Sequence, residues 1–398
     1  MEKTDFPIKV VAIRKGDHRP PPENQGGEAK VFGKVTDGTR RLLAEQVEGA
    51  YQYFSKQFQR WPDIPAVVKI TLKEEALAKS HRPTALLRTK TCPIVGTLDF
   101  GEILVSASPR GLSQLSNEIR TTTSKKPTAN ISAIEKIEPY RVQDNRVGFD
   151  TEDLNTWLKQ AIPMKVHTFD HGDPEINHRI NMALIELAQE HGVELEEIHY
   201  GTRCSGFKTS PESGAIDEVF ESFMGLQSLS PMPSYGPADL EVQSSPVGVV
   251  DETLLPPPDD ETEYPIVGVV DSGICPNSSL LTPWVVGREA YVQQDLQDNT
   301  HGTMVAGLIA GAYSLNHSDD RFPRAQAKIL DVAVFEKGAS LSEEILVAIL
   351  EDVIPKHPEI RIWNLSLGGS SPCMPSEFSD FACFLDEMHD TYSCLFVV

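Results

Sequence analysis

One short run limits the folds open to this chain more than any other feature. Ile266-Val267-Gly268-Val269-Val270 carries no polar residue, and the run ends abruptly on Asp271-Ser272-Gly273. A strand in a sheet with one wet face alternates apolar and polar residues. An uninterrupted apolar strand needs cover on both faces, as in a parallel sheet packed between helices. The sequence downstream fits that demand. Met304 to Ile309 opens a helix, and Ile329-Leu330-Asp331-Val332-Ala333-Val334 reads as a second strand. Ser342 to Ile354 places Ile345, Ile349 and Val353 on one helical face, and Ile360 to Leu367 reads as a third strand. Residues 265–398 are therefore expected to form an α/β domain with helices flanking a parallel sheet.

The residues before it follow another pattern. Residues 1–60 read as an N-terminal extension: Pro20-Pro21-Pro22 and Gly26-Gly27 disfavour regular structure, and Leu43, Val47, Tyr51 and Phe54 then mark one amphipathic helix. Residues 61–145 read as an α+β module. Its strands are expected at Ala66–Leu72, Ile103–Val105 and Ile131–Ile137, with helices near Lys73–Lys79 and Pro109–Arg120. Residues 160–236 read as a second α+β module: a strand at Met164–Phe169, a helix carrying Ile176, Ile180, Leu184 and Leu187, a strand near 194–200 and a helix near 213–224. The modules end alike, Ile131-Ser132-Ala133-Ile134 before Pro139-Tyr140 and Leu226-Gln227-Ser228-Leu229 before Pro233-Ser234-Tyr235, the trace of a weak internal duplication. Residues 237–264, with Pro256-Pro257-Pro258-Asp259-Asp260-Glu261, read as a proline-stiffened acidic linker.

Composition narrows the partners. The 398 residues carry a formal charge of −22, which repels phosphate backbones and anionic bilayers, so neither nucleic acid nor membrane is expected as a partner. No apolar run reaches the length of a membrane span, and Met1-Glu2-Lys3-Thr4-Asp5 lacks the plan of a signal peptide. The six cysteines are scattered with no CxxC pair, which reads as reduced thiols in a cytoplasmic protein.

Two residues in the second half carry chemistry. Asp271 stands at the carboxyl end of a buried strand, where open α/β sheets place their sites. His301 opens a helix whose first turns, Gly302-Thr303-Met304-Val305-Ala306-Gly307, are mostly small and let it pack closely on the sheet. Each alone has a plainer reading: an Asp capping a loop or holding a ribose, and a His at a helix start as a cap. Together, 30 residues apart, they fall within reach of one sheet edge.

Asp271-Ser272-Gly273, then His301-Gly302-Thr303 with Val305-Ala306-Gly307, then Asn364-Leu365-Ser366-Leu367-Gly368-Gly369, in that order, resemble the subtilisin-like serine peptidases (subtilases, peptidase family S8). The resemblance implies that Asp271 orients His301, that His301 is the general base for a serine hydroxyl, and that Ser366, Leu367 and Gly368 form the edge segment that pairs with an extended polypeptide substrate. It implies no cofactor and no metal, although the loop with His317, Asp319 and Asp320 lies where some relatives hold calcium. His167, Asp170, His171 and Asp173 read as a polar strand-to-helix loop rather than a metal set. The N-terminal modules would then correspond to inhibitory propeptide-like regions, or to an adaptor for a regulatory partner.

The sequence also departs from the family. No Gly-Thr-Ser-x-Ala segment occurs, and Leu395-Phe396-Val397-Val398 resembles the strand that leads to the family's oxyanion Asn. The expectation is a subtilisin-like domain incomplete at its C-terminus, lacking nucleophile and oxyanion Asn and inactive alone. The competing reading is a binding or regulatory protein with a remnant protease fold. A dinucleotide-binding oxidoreductase is disfavoured, because Asp271-Ser272-Gly273-Ile274-Cys275-Pro276 has no Gly-x-Gly-x-x-Gly turn.

Overall fold

A computed structural model describes residues 30–88, 90–145, 149–202, 204–210, 223–237, 253–371 and 378–398. The chain divides into two compact units, one built mainly on residues up to Glu197 with Gly206–Pro231, the other on Ile198–Ser205, Met232–Pro372 and Ser379–Val398.

In the first unit, helix α1 (Asp37–Arg60) starts at Thr36, whose hydroxyl accepts from the Thr39 amide, and ends on Arg60, a cation suited to a helix C-terminus. It buries Leu43, Val47, Ala50, Phe54 and Phe58; Tyr51, expected on this stripe, is 39% exposed because the stripe passes through Ala50. Strands β1 (Ala66–Leu72), β2 (Ile94–Asp99), β3 (Glu102–Ala107) and β4 (Ile134–Pro139) form a sheet in the order β2-β3-β1-β4. Helices α2 (Pro109–Thr121) and α3 (Lys125–Ala133) join β3 to β4. The strand expected from Ile131 begins only at Ile134, because Ile131 and Ala133 are buried on α3 and the Ser132 hydroxyl bonds back to Ala129 O. The helix expected near Lys73 is reduced to short 3-10 turns at Glu74–Ala76 and Lys79–His81.

After α4 (Thr151–Lys159), a second sheet is formed by β5 (Met164–Thr168), β6 (Leu195–Tyr200), β7 (Cys204–Thr209) and β8 (Leu226–Pro231), with α5 (Pro174–Glu190) between β5 and β6. Its order, β6-β7-β5-β8, repeats that of the first sheet. In both, the first strand pairs antiparallel with the third and the fourth, and a register shift falls at the same end, at Thr71/Leu72 and at His167/Thr168. The two sheets share one buried cluster, which runs from Leu43 to Leu229. Residues 213–222 of the helix expected near 213–224, and residues 238–252 of the expected linker, lie outside the described residues, while Phe223 and Met224 are not helical. Residues 256–261 form no helix.

The second unit opens with β9 (Ser234–Pro237) and continues with β10 (Ile266–Asp271), β11 (Val285–Ala290), helix α6 (Thr300–Leu315), β12 (Lys328–Ala333), β13 (Leu341–Ser342) and helix α7 (Glu343–Lys356). It closes with β14 (Ile362–Asn364), β15 (Leu367–Gly369), helix α8 (Asp380–Tyr392) and β16 (Leu395–Val397). Five strands form a parallel sheet in the order β11-β12-β10-β14-β16. The apolar run of β10 is covered on both sides, as its composition demands. Val267 and Val269 face a cluster with Val305, Ala306 and Ala310 of α6, and Val270 faces one with Leu346 and Leu350 of α7 and Phe384 of α8. Gly268 is required where it is, since a Cβ there would come within 2.3 Å of the fully buried Trp363 ring. The third strand expected over 360–367 is two strands, because the chain leaves the parallel sheet after Asn364.

Candidate active site

Asp271 ends the central strand β10 and is fully buried. It accepts a 2.6 Å hydrogen bond from the Ser272 amide, and its two carboxyl oxygens lie 2.8 and 2.9 Å from His301 Nδ1. The second residue of α6 is His301, with 13% of its side chain exposed. The Asp271 contact makes Nδ1 the protonated nitrogen of the neutral ring and leaves Nε2 a lone pair, the arrangement a general base needs.

Three contacts fasten the start of α6 to the loop after Asp271. The Gly302 amide donates to Ser272 Oγ at 3.1 Å, the Cys275 amide donates to Thr303 Oγ1 at 2.8 Å, and Asn299 Nδ2 donates to Ser272 O at 3.3 Å. Gly302 permits this closeness: a Cβ at that position would sit 2.4 Å from Gly273 O. Gly273 itself has φ of +90°, a conformation that glycine adopts without strain.

A second buried carboxyl supports the loop and escaped the sequence reading. Asp331 on β12 is 1% exposed; its Oδ2 accepts from Arg288 Nε at 2.7 Å and from the Ile274 amide at 3.2 Å. Arg288 also donates to Ile274 O at 2.6 Å. Burial raises the Asp331 pKa, although the Ile274 amide and Arg288 oppose it. The signal was present, since Asp331 is a charged residue inside the apolar run Ile329–Val334 and so demands a partner.

The expected substrate-binding segment meets a strand of the chain itself. Asn364 Nδ2 donates to Ser366 Oγ at 2.8 Å, and Leu367 and Gly368 lie in β15. Strand β9 runs antiparallel between β13 and β15, with Leu341 opposite Tyr235, Leu367 opposite Pro237 and Gly368 opposite Gly236. At its N-terminal end, Ser370 N–H donates to Ser234 O at 2.8 Å and Glu343 N–H donates to Pro233 O at 2.9 Å.

Several other polar residues singled out in the sequence have local duties. Asp173 caps α5, and Asp170 accepts from the Gly172 amide and from Asn177. His171 is buried, with Nδ1 2.9 Å from Ser106 Oγ. Asp319 pairs with Arg321 and Asp320 with Arg324, while His317 turns the chain at φ of +56°.

Residues 263–398 match the family model of the Subtilase family, peptidase S8. Comparison of the chain with curated proteins gave no match. The match and the helix-flanked five-stranded parallel sheet together make this region a subtilisin-like α/β fold.

Proposed function

With residues 263–398 belonging to the subtilase family as the premise, we propose that this region is the Asp-His part of a serine endopeptidase acting on polypeptides. The contact between His301 Nδ1 and the buried Asp271 carboxyl is the observation that carries the reading. In the reaction, a serine Oγ attacks the scissile carbonyl while His301 Nε2 takes its proton. Asp271 stabilises the imidazolium, and the proton then passes to the leaving amine. Leu367 and Gly368 hold the substrate by backbone pairing of the kind they make with β9. The chemistry needs neither metal nor cofactor.

No Gly-Thr-Ser-x-Ala segment lies within the 398 residues, and on this reading the nucleophilic hydroxyl is not one of theirs. The test treats the 398-residue chain, and the same chain extended by the sequence its coding DNA specifies downstream, with a serine-directed fluorophosphonate. Labelling of the extended form alone, abolished by His301→Ala, is the expected result. Labelling of neither form would favour the competing reading, a binding or regulatory protein in which the N-terminal modules bind a partner and the protease fold is a remnant. Labelling of the 398-residue chain that is lost on His301→Ala would show that the nucleophile lies within it.

A further inference from the structure

The strand in the groove carries one side chain with an unusual reception. Tyr235, half-buried on β9, donates its phenol proton to Glu343 Oε2 at 2.9 Å. Glu343 is 1% exposed, and its other oxygen, Oε1, accepts from the Tyr200 hydroxyl at 2.8 Å. Tyr200 belongs to the hairpin tip that is part of this unit, so one oxygen of a buried carboxyl is held by the protein's framework and the other is aimed at the occupant of the groove. The Tyr235 ring also packs on Phe381, with centroids 5.1 Å apart, and lies 3.2 Å from where a Gly369 Cβ would stand. Gly236, the next residue, has open space on its Cβ side, so the groove reads position 235 far more closely than position 236.

We propose that the groove between β13 and β15 selects peptides with tyrosine at the position of Tyr235, and that Glu343, pre-oriented by Tyr200, is the specificity-determining residue. The claim rests on the reading of β15 as a substrate-binding strand. A phenylalanine would keep the ring contacts but lose the hydrogen bond to a buried carboxyl oxygen, the kind of loss that rejects an analogue lacking a hydroxyl. A smaller side chain would lose both.

The receptor for the test is the full 398-residue chain with Tyr235→Ala, which weakens its own occupant. Fluorescein-labelled peptides of sequence 231–241, carrying Tyr, Phe or Ala at position 235, are titrated by anisotropy. The tyrosine peptide should bind about tenfold or more tightly than the phenylalanine peptide. Introducing Glu343→Met should lower tyrosine-peptide affinity to the phenylalanine level and leave the phenylalanine peptide unchanged, whereas Glu343→Gln, which keeps an acceptor, should retain part of the preference. Because Glu343→Met removes the acceptor of the Tyr200 hydroxyl's bond, it is also made together with Tyr200→Phe, and both variants are checked by circular dichroism melting. Should those variants unfold, Glu343→Gln and the peptide series alone decide. Equal binding of the tyrosine and phenylalanine peptides would overturn the selectivity while leaving the substrate groove in place. Binding of none of the three would overturn the groove itself.

Discussion

Replacing Gly302 with alanine should separate His301 from Asp271 without touching either residue. The added Cβ would stand 2.4 Å from Gly273 O, 2.9 Å from Gly273 C and 3.0 Å from Gly273 N. All three are backbone atoms, so no side chain can rotate away. Restoring ordinary contact requires a shift of about 1 Å at the start of α6 or in the loop after Asp271, and overpacking of this kind costs about 1–3 kcal/mol. The shift also stretches the Gly302 bond to Ser272 Oγ, now 3.1 Å, and the His301–Asp271 contact, now 2.8 Å, beyond hydrogen-bonding range. Stability is read by denaturant unfolding followed through Trp284 and Trp363, both fully buried in this unit. The His301 contact is read by proton NMR, from the slowly exchanging Nδ1 proton that a carboxyl partner protects. The expected outcome is a lower unfolding midpoint together with loss of that resonance. Wild-type stability with the resonance intact would refute the claim that this glycine sets the distance between the two residues.

Three further outcomes follow from the packing. Asp331→Ala leaves the Arg288 guanidinium without its carboxylate partner; loss of one member of a buried pair costs about 3–5 kcal/mol, and the lower end applies because Arg288 is 29% exposed and keeps its bond to Ile274 O. Unfolding of the second unit in urea measures it, and a loss under about 1 kcal/mol would show the pair to be dispensable. In the first unit, Lys69 lies within 4 Å of Glu102, Glu138 and Asp144. Burial lowers the lysine's pKa, but Asp144 and then the glutamates outweigh it and hold the pKa above 10.5; burial likewise raises Glu138, but bonds from Lys136 and Lys69 hold it below 4.5. The lysine's contribution is therefore present below pH 10.5 and lost as pH rises through its raised value, and the glutamate's is present above pH 4.5 and lost on acidification. Lys69→Met should flatten both arms of the stability–pH curve, and unchanged slopes would remove the cluster from the account. Burial pushes the Cys92 thiol up to about 12, so iodoacetamide at neutral pH should modify half-buried Cys275 and spare Cys92 until the chain unfolds, as mass spectrometry of the digests would record. Alkylation of both at equal rates would contradict that burial.

The contrast between Asp271 and Tyr235 separates what local sequence determined from what assembly decided. The run Ile266–Val270 dictated a strand covered on both faces, and a strand of that kind dictated that Asp271 stand at its carboxyl end. The small residues after His301 likewise dictated close packing of its helix. These demands arise from neighbours in sequence, so they were readable without a partner in view. The Asp331–Arg288 pair was half readable: a carboxylate in an apolar strand requires a counter-charge, but nothing in the sequence says that Arg288, 43 residues earlier, supplies it. The failures also have causes. Ile131 and Ala133 satisfy the burial rules of a strand and of a helix equally well, and packing on α3 settled between them. That β9 lies between β13 and β15, and that Tyr200, Tyr235 and Glu343 meet, depended wholly on tertiary structure. β13, Glu343 and β15 lie more than a hundred residues after Tyr200 and β9, and backbone pairing between strands carries almost no side-chain signature.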